Sequence, residues 1–117
     1  MATKSLFEIP NQKRYFEDYV EGAIHNFERV LVNEENIIEF ASRYDSQFYH
    51  VDPEKAKGSI YGGRISSGWH TTAMMMSQLT QYYFSDVSSM GYPGLTDLRW
   101  MLPVPPSDTL CVRTTTT

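Results

Sequence analysis

The chain has 117 residues, a length that suits one domain with a real but modest core, so residues 1–117 are interpreted as a single domain. It carries 10 Lys and Arg against 14 Asp and Glu, a net charge of −4, and no basic run that would follow a phosphate backbone. We therefore expect no nucleic-acid partner. The single cysteine, Cys111, excludes an internal disulfide and a cysteine-based metal site, which suits the cytoplasm.

Neither export nor membrane insertion is expected from the sequence. The N-terminus lacks the continuous apolar stretch of a secretory signal. No charged residue occurs between Arg64 and Asp86, a span close to the length of a membrane-crossing helix. Its many serine, threonine and glutamine residues are too polar for a lipid-facing segment. The span is therefore predicted to be a helix buried in a soluble protein.

The first predicted elements are a strand and a helix. Residues 23–32 are rich in β-favouring types and are predicted to form the strand. Asn33 is a good helix N-cap, and apolar residues recur at helical spacing from Glu34 to Tyr44. This helix is expected to end near Asp45.

A short connector helix and a turn follow. Asp52 and Pro53 form an N-cap and first-turn pair, which predicts a helix over residues 53–57 that Gly58 closes. The glycine pair at 62–63 supplies the conformational freedom of a turn.

A long central helix is predicted after this turn. Ser66 or Ser67 is suited to cap it, and helical periodicity continues to about Phe84, with Trp69 and Ala73 on one apolar stripe. The methionines at 74–76 are interpreted as core filling, although methionine also suits an acyl-chain tunnel. The histidines at 25 and 70 are interpreted as structural or exposed.

Two strands are predicted in the C-terminal part. Residues 95–102 alternate apolar and polar side chains, as a half-buried strand does, and a second strand begins at Thr109 after a turn at 103–108. The sequence stops within this second strand, in the four threonines at 114–117. We expect either that C-terminal strands of the fold are missing or that assembly covers the open sheet edge.

The pair that carries chemistry is Asp45 and His50. A carboxylate and an imidazole move protons near neutral pH. A carboxylate at the end of a helix meets the negative end of the dipole, so stability alone does not favour Asp45 there. The start of the central helix offers free N–H groups that stabilise developing negative charge. The sequence therefore predicts an acid/base pair beside an oxyanion site.

A family resemblance rests on the stretch from Tyr44 to Trp69. The residues that carry it are Asp45, His50, Asp52, Pro53, Ala56, Gly62, Gly63, Ser67, Gly68, Trp69 and His70. This pattern resembles the MaoC-like enoyl-CoA hydratase family, also called R-specific hydratases. Residues 97–100, 103–104 and 108–110 are similar to the later strands of that family, so the match covers most of the chain after Tyr15.

The resemblance implies an α+β hotdog fold, in which an antiparallel sheet wraps a long central helix, and homodimers or higher homo-oligomers. It implies a hydro-lyase that interconverts trans-2-enoyl-CoA and (R)-3-hydroxyacyl-CoA by acid/base addition of water. Asp45 takes a proton from the attacking water in this scheme, and His50 holds the water and helps deliver a proton to the α-carbon. The N–H of Gly68 receives the charge on the thioester oxygen, and the missing side chain leaves room for the thioester.

Substrate contacts implied by the resemblance are Gln47, Gly63, Ser67 and Trp69. The thioester carbonyl itself activates the alkene, so neither a metal nor a redox cofactor is expected, and coenzyme A enters as part of the substrate. Similar proteins have proline where this chain has Phe48. The loss of a fixed φ there predicts a looser or different loop.

Several other interpretations stay open at this point. The glycine pair at 62–63 suits a plain turn, and Gly68 suits helix packing or capping alone. Asp45, His50 and Asp52 are a conceivable metal set, although Asp52 is better explained as a helix cap. The alternative functions are a non-catalytic acyl-CoA-binding subunit of a larger assembly and an acyl-CoA thioesterase on the same fold.

Overall fold

The computed structural model describes residues 9–117, and the eight residues before them, where an export signal would lie, are outside the described part. The chain divides into two compact units. The first unit comprises the described residues up to Arg29 together with Met75–Asp97 and Cys111–Thr117. The second unit comprises Val30–Met74 and Leu98–Leu110.

Four α-helices and four short strands make up the regular structure of the described residues. The helices are α1 (Glu34–Tyr44), α2 (Phe48–Val51), α3 (Pro53–Lys57) and α4 (Gly68–Tyr82). The strands are β1 (Ile24–Asn26), β2 (Val30–Leu31), β3 (Thr109–Leu110) and β4 (Arg113–Thr115), and 3-10 turns form at Asn11–Lys13 and Phe16–Asp18. Strand β1 pairs antiparallel with β4 in the first unit, and β2 pairs antiparallel with β3 in the second.

Helix α1 begins and ends where the sequence predicts. The Asn33 side chain accepts hydrogen bonds from the N–H groups of Glu35 and Asn36, which satisfies donors that have no partner inside the helix. Ile37 and Ala41, one turn apart on the same face, are fully buried. The N–H of Asp45 closes the helix on the carbonyl of Ala41 at 2.8 Å. The N-cap and the helical period are thus both confirmed.

Helix α2 is a correction to the sequence prediction of a looser loop. Phe48 occupies the first helical position, where proline is also favoured, so the substitution keeps a helical turn in place. The turn buries His50, which is only 3% exposed. The next helix, α3, matches its prediction: the Asp52 side chain accepts from the N–H groups of Glu54 and Lys55, and the helix ends at Gly58.

Helix α4 forms as predicted but ends at Tyr82, two residues before the expected end. The buried stripe at its start was predicted wrongly, because Trp69 and Ala73 are exposed while His70 is buried. The His70 ring stacks on Phe40 of α1 at 5.0 Å between centroids, and its Nδ1 lies 3.0 Å from the Ser66 hydroxyl. His70 therefore packs the first turn of α4 against α1. None of the helices in the described residues has the length and hydropathy of a membrane-crossing helix.

The strand predictions are confirmed only in part. Residues 23–32 form two strands rather than one, since the residues between β1 and β2 are not in a strand. The strand expected from Thr109 forms as β3 and β4, which are also interrupted. The strand predicted over residues 95–102 is wrong: no ladder partner lies beside it within residues 9–117, and Leu95 and Leu102 are exposed. Alternation alone does not supply the neighbouring strand that a ladder needs.

The first unit is organised around the C-terminal end of α4. The buried Arg14 guanidinium donates to the carbonyls of Tyr82 and Tyr83 at 3.0 and 2.9 Å, which suits the negative end of a helix dipole. The ring of Phe27, 2% exposed, packs against both of these tyrosines.

Candidate functional site

The predicted acid/base pair comes together in the second unit. Asp45 lies at the C-terminal end of α1, and His50 lies in the single helical turn of α2. The Nε2 atom of His50 is 3.3 Å from Oδ2 of Asp45. The His50 side chain is 4% exposed and the Asp45 side chain 19%, so the pair is largely shielded from solvent.

The backbone fixes which ring nitrogen of His50 meets the aspartate. Nδ1 of His50 lies 2.7 Å from the carbonyl oxygen of Ile65. Since a carbonyl oxygen only accepts hydrogen bonds, Nδ1 carries a proton. Nε2 therefore faces the carboxylate of Asp45, within reach of a hydrogen bond.

The carboxylate of Asp45 is held on both oxygens. Gln47 donates from Nε2 to Oδ1 at 2.7 Å, and the Ser67 hydroxyl donates to Oδ2 at 2.7 Å. Burial alone would raise the pKa of Asp45, but the hydrogen bonds from Gln47 and Ser67 and the neighbouring His50 outweigh burial and lower this pKa below its ordinary value. Asp45 is therefore ionised at neutral pH and ready to accept a proton.

Gly68 opens α4 next to this pair. The N–H groups of the first helical turn have no acceptor inside the helix and point outward from its positive end. The space beside the Gly68 Cα is occupied by Trp100, whose indole would overlap any side chain built there. The indole Nε1 donates to the hydroxyl of Thr72 at 3.0 Å. The expectation that this glycine leaves an open path for a thioester is therefore corrected, because on that side it leaves room for an indole ring.

The pair and the start of α4 share one cleft of about 620 Å³. Its walls combine the acid/base pair, aromatic rings and the segment that precedes β3. The lining residues are Asp45, Gln47, Tyr49, His50, Tyr61, Ile65, Ser66, Gly68, Trp69, Thr71, Arg99, Trp100, Met101, Leu102, Pro103 and Val104. This volume lies within the range of small-molecule sites.

Of the four substrate contacts expected from the sequence, two line the cleft and two do not. Gln47 and Trp69 line the cleft, and Trp69 is 56% exposed. Ser67 is fully buried and donates to Asp45, so it supports the carboxylate rather than facing the cleft. Gly63 is not among the lining residues and lies in the turn before the site.

Three aromatic residues of the site had no distinct signal in the sequence. Tyr49 and Tyr61 line the cleft with their rings 5.4 Å apart. Trp100 was assigned to a strand, whereas its indole packs on the start of α4 and meets Trp69 edge-on at 5.0 Å.

The geometry does not support a metal site formed by Asp45, His50 and Asp52. Asp52 is committed to capping α3. Within residues 9–117 no cluster of three or more His, Cys, Asp or Glu side chains is arranged to hold a metal ion.

Comparisons with known proteins agree with this architecture. The family model described as MaoC like domain matches residues 15–117. A solved MaoC-like dehydratase from Rhodospirillum rubrum is 35% identical, with a TM-score of 0.74 over 87% of this chain and 69% of that one. The R-hydratase PhaJ1 from Pseudomonas aeruginosa is 24% identical, with a TM-score of 0.66 over 90% of this chain and 63% of that one, and this likeness concerns the fold alone. The uncharacterized protein YdeM of Bacillus subtilis is 27% identical over 94 residues, 80% of this chain and 67% of YdeM.

These likenesses define an α+β protein of the hotdog class, as the resemblance in the sequence implied. The chain belongs to the MaoC-like domain family, because the family model covers nearly all of the described residues. It spans between 63% and 69% of the length of the three relatives.

Proposed function

We propose that this protein is a hydro-lyase that interconverts trans-2-enoyl-CoA and (R)-3-hydroxyacyl-CoA. The observation that carries the proposal is the 3.3 Å contact between His50 and Asp45 in a cleft that also reaches Gly68. A base, a proton donor and a source of oxyanion stabilisation are the three groups that water addition to an enoyl thioester needs. The 35% identical protein from Rhodospirillum rubrum is named a dehydratase, which supports the same reaction class.

Asp45 is the base in this reaction. Its carboxylate accepts a proton from water while the water oxygen bonds to the β-carbon of the alkene. The displaced electron pair moves onto the thioester oxygen, where the first N–H groups of α4, including that of Gly68, stabilise it. The pKa of Asp45 lies below the ordinary value of a carboxyl group, so at neutral pH the base is ionised in nearly every molecule.

His50 supplies the second proton. The enolate collapses and its α-carbon takes the proton from Nε2 of His50. The proton on Nδ1 stays in place, because it is hydrogen-bonded to the Ile65 carbonyl. The proton that Asp45 accepted then passes across the contact to Nε2, which restores the pair for the next turnover. The protein needs no cofactor in this scheme besides the coenzyme A of its substrate.

The proposal is tested by crotonyl-CoA hydration, followed by the loss of the enoyl-thioester absorbance. Replacing Asp45→Asn removes the base while keeping the shape of the side chain, and His50→Ala removes the proton donor. Each variant is expected to lose about 10²- to 10⁴-fold in kcat, the range for a positioned acid or base. Wild-type rates in both variants would refute the proposal, and circular dichroism confirms that each variant is folded.

A second candidate is an acyl-CoA-binding subunit without turnover, and the position of Trp100 favours it. The indole fills the space beside Gly68, so a thioester must approach the N–H groups of α4 from the other side of the helix start. Calorimetric titration with crotonyl-CoA and with the 3-hydroxy product distinguishes the two candidates. Binding of both ligands with no interconversion by the purified protein supports this second function.

A further inference from the structure

A chain of hydrogen bonds extends from Asp45 along the wall of the cleft. Gln47 Nε2 donates to Asp45 Oδ1 at 2.7 Å, and the Tyr49 hydroxyl donates to Gln47 Oε1 at 2.5 Å. All three residues line the same cleft. Both ends of the Gln47 amide are therefore engaged by protein groups, which differs from the free substrate contact expected for this residue.

The order of donors in the chain follows from its ends. An ionised carboxylate only accepts hydrogen bonds, so the NH₂ end of Gln47 must face Asp45. The carbonyl end then faces Tyr49, whose hydroxyl has to donate. Burial and the neighbouring Tyr61 and Asp45 raise the pKa of Tyr49, so its hydroxyl keeps the proton that it donates. Every link of the chain thus has a compatible donor and acceptor.

We propose that Gln47 and Tyr49 are positioning residues that fix the orientation of the Asp45 carboxylate in the cleft and stabilise its charged form. This inference rests on the proposed hydratase function for its kinetic part and on the hydrogen-bond geometry for its structural part. Gln47 stabilises the charged form of Asp45 directly. Tyr49 acts through Gln47, because its hydroxyl polarises the amide and fixes its rotation.

The local backbone explains why Gln47 reaches back to Asp45. Gln47 precedes the first turn of α2 with extended backbone angles, and its side chain makes no capping bond to the helix. The amide is therefore available to turn toward Asp45, two residues earlier. The helical turn that begins at Phe48 brings the Tyr49 hydroxyl onto the same amide.

Other charged or titratable groups also face this cleft and belong in the account of its pH dependence. His50 lies on α2, Tyr61 follows α3, and Arg99 lies in the segment before β3. The two test variants, at Gln47 and Tyr49, therefore change one amide or one hydroxyl and leave these three groups in place.

The kinetic test uses Gln47→Met and Tyr49→Phe in the whole protein. Methionine keeps the length of glutamine without its hydrogen bonds, and phenylalanine removes the hydroxyl alone. A hydrogen bond to a charged group is lost in Gln47→Met, so kcat/KM with crotonyl-CoA should fall about 10- to 100-fold, and Tyr49→Phe should fall about 2- to 10-fold. The acidic limb of the pH profile should move to higher pH in both variants, and further in Gln47→Met.

Tyr61→Phe is the matched control, because Tyr61 lines the same cleft without a link to the Gln47 amide. It should leave the acidic limb where the wild type has it. A spectroscopic measurement that needs no turnover accompanies the kinetics: the side-chain carboxyl carbon of Asp45, labelled with ¹³C, is titrated by NMR in all four proteins. Its titration should move upward in pH in Gln47→Met and Tyr49→Phe only.

The two measurements separate the positioning role from the proposed reaction. A shifted Asp45 titration in a protein that hydrates no enoyl thioester upholds the positioning role and rejects the hydratase proposal. Normal turnover with an unmoved Asp45 titration in both variants overturns the positioning role. A shift of the same size in Tyr61→Phe also overturns it, because the effect would then belong to any hydroxyl in the cleft.

Discussion

Because Trp100 contacts Gly68, we predict that Gly68→Ala destabilises the wild-type protein but stabilises a variant that lacks the Trp100 indole. Gly68 lies at the first position of α4, where its φ is not positive, so alanine is compatible with the backbone. Alanine in place of glycine in a helix is favourable by roughly 0.5–1 kcal/mol. The new Cβ would overlap the Trp100 indole, which is 46% exposed, and inserting a carbon that forces such a ring to shift costs about 1–3 kcal/mol.

The balance of these two effects is a net loss in the wild-type background. Gly68→Ala should lower the free energy of unfolding by up to about 2.5 kcal/mol, because the indole must move away from Thr72 and Trp69. In a Trp100→Ala background the overlap is absent, and only the helix preference is left. Gly68→Ala should then raise the free energy of unfolding by up to about 1 kcal/mol.

A double-mutant cycle by urea denaturation measures this coupling. The four proteins are the wild type, Gly68→Ala, Trp100→Ala and the double variant, each followed by circular dichroism. The fluorescence of Trp69 and Trp100, the two tryptophans of the chain, reports the displacement of the indole in Gly68→Ala. The reasoning is refuted when Gly68→Ala costs the same free energy with and without Trp100.

Two further predictions concern stability. Burial lowers the pKa of His70 from the ordinary value of 6.5, so the unfolded chain takes up this proton first and the fold loses stability as the pH falls from 6.5 through the lowered pKa. Urea midpoints at pH 7.5 and pH 5.5 should therefore differ less in His70→Gln than in the wild type, and an equal difference would show that His70 is not responsible. Asn33→Ala removes the cap of α1 and should cost about 1 kcal/mol, whereas Asn33→Asp, measured beside it, should keep most of the stability; equal losses in both would contradict the capping role.

Sequence reasoning succeeds here where local chemistry determines structure. The starts of α1 and α3 follow from Asn33 and Asp52, since each side chain caps the N–H groups of its own helix. The approach of His50 to Asp45 also follows from a short stretch of chain, because α2 supplies a single turn between them. These features depend on neighbours within a few residues, which the sequence displays directly.

The predictions that fail depend on contacts between distant parts of the chain. Residues 95–102 alternate as a strand does, but a strand also needs a neighbour, and the sequence does not display one. Trp100 packs on Gly68, 32 positions away, and contributes a cleft wall that alternation alone could not reveal. The rotation of the Gln47 amide toward Asp45 likewise depends on the helical turn that Phe48 begins, where a loop was expected.

The two helix ends near Asp45 have opposite electrostatic effects on its carboxylate. The carbonyl end of α1 disfavours a negative charge on the residue that follows it, whereas the N–H end of α4 favours one. Ser67, which precedes α4, donates to Asp45 at 2.7 Å and so connects the carboxylate to the favourable helix end. With Gln47 on the other oxygen and His50 beside the carboxylate, these contacts outweigh burial, since the pKa of Asp45 is lowered rather than raised. The carboxylate therefore stays charged because of side chains dedicated to it, an arrangement that helix stability alone does not require.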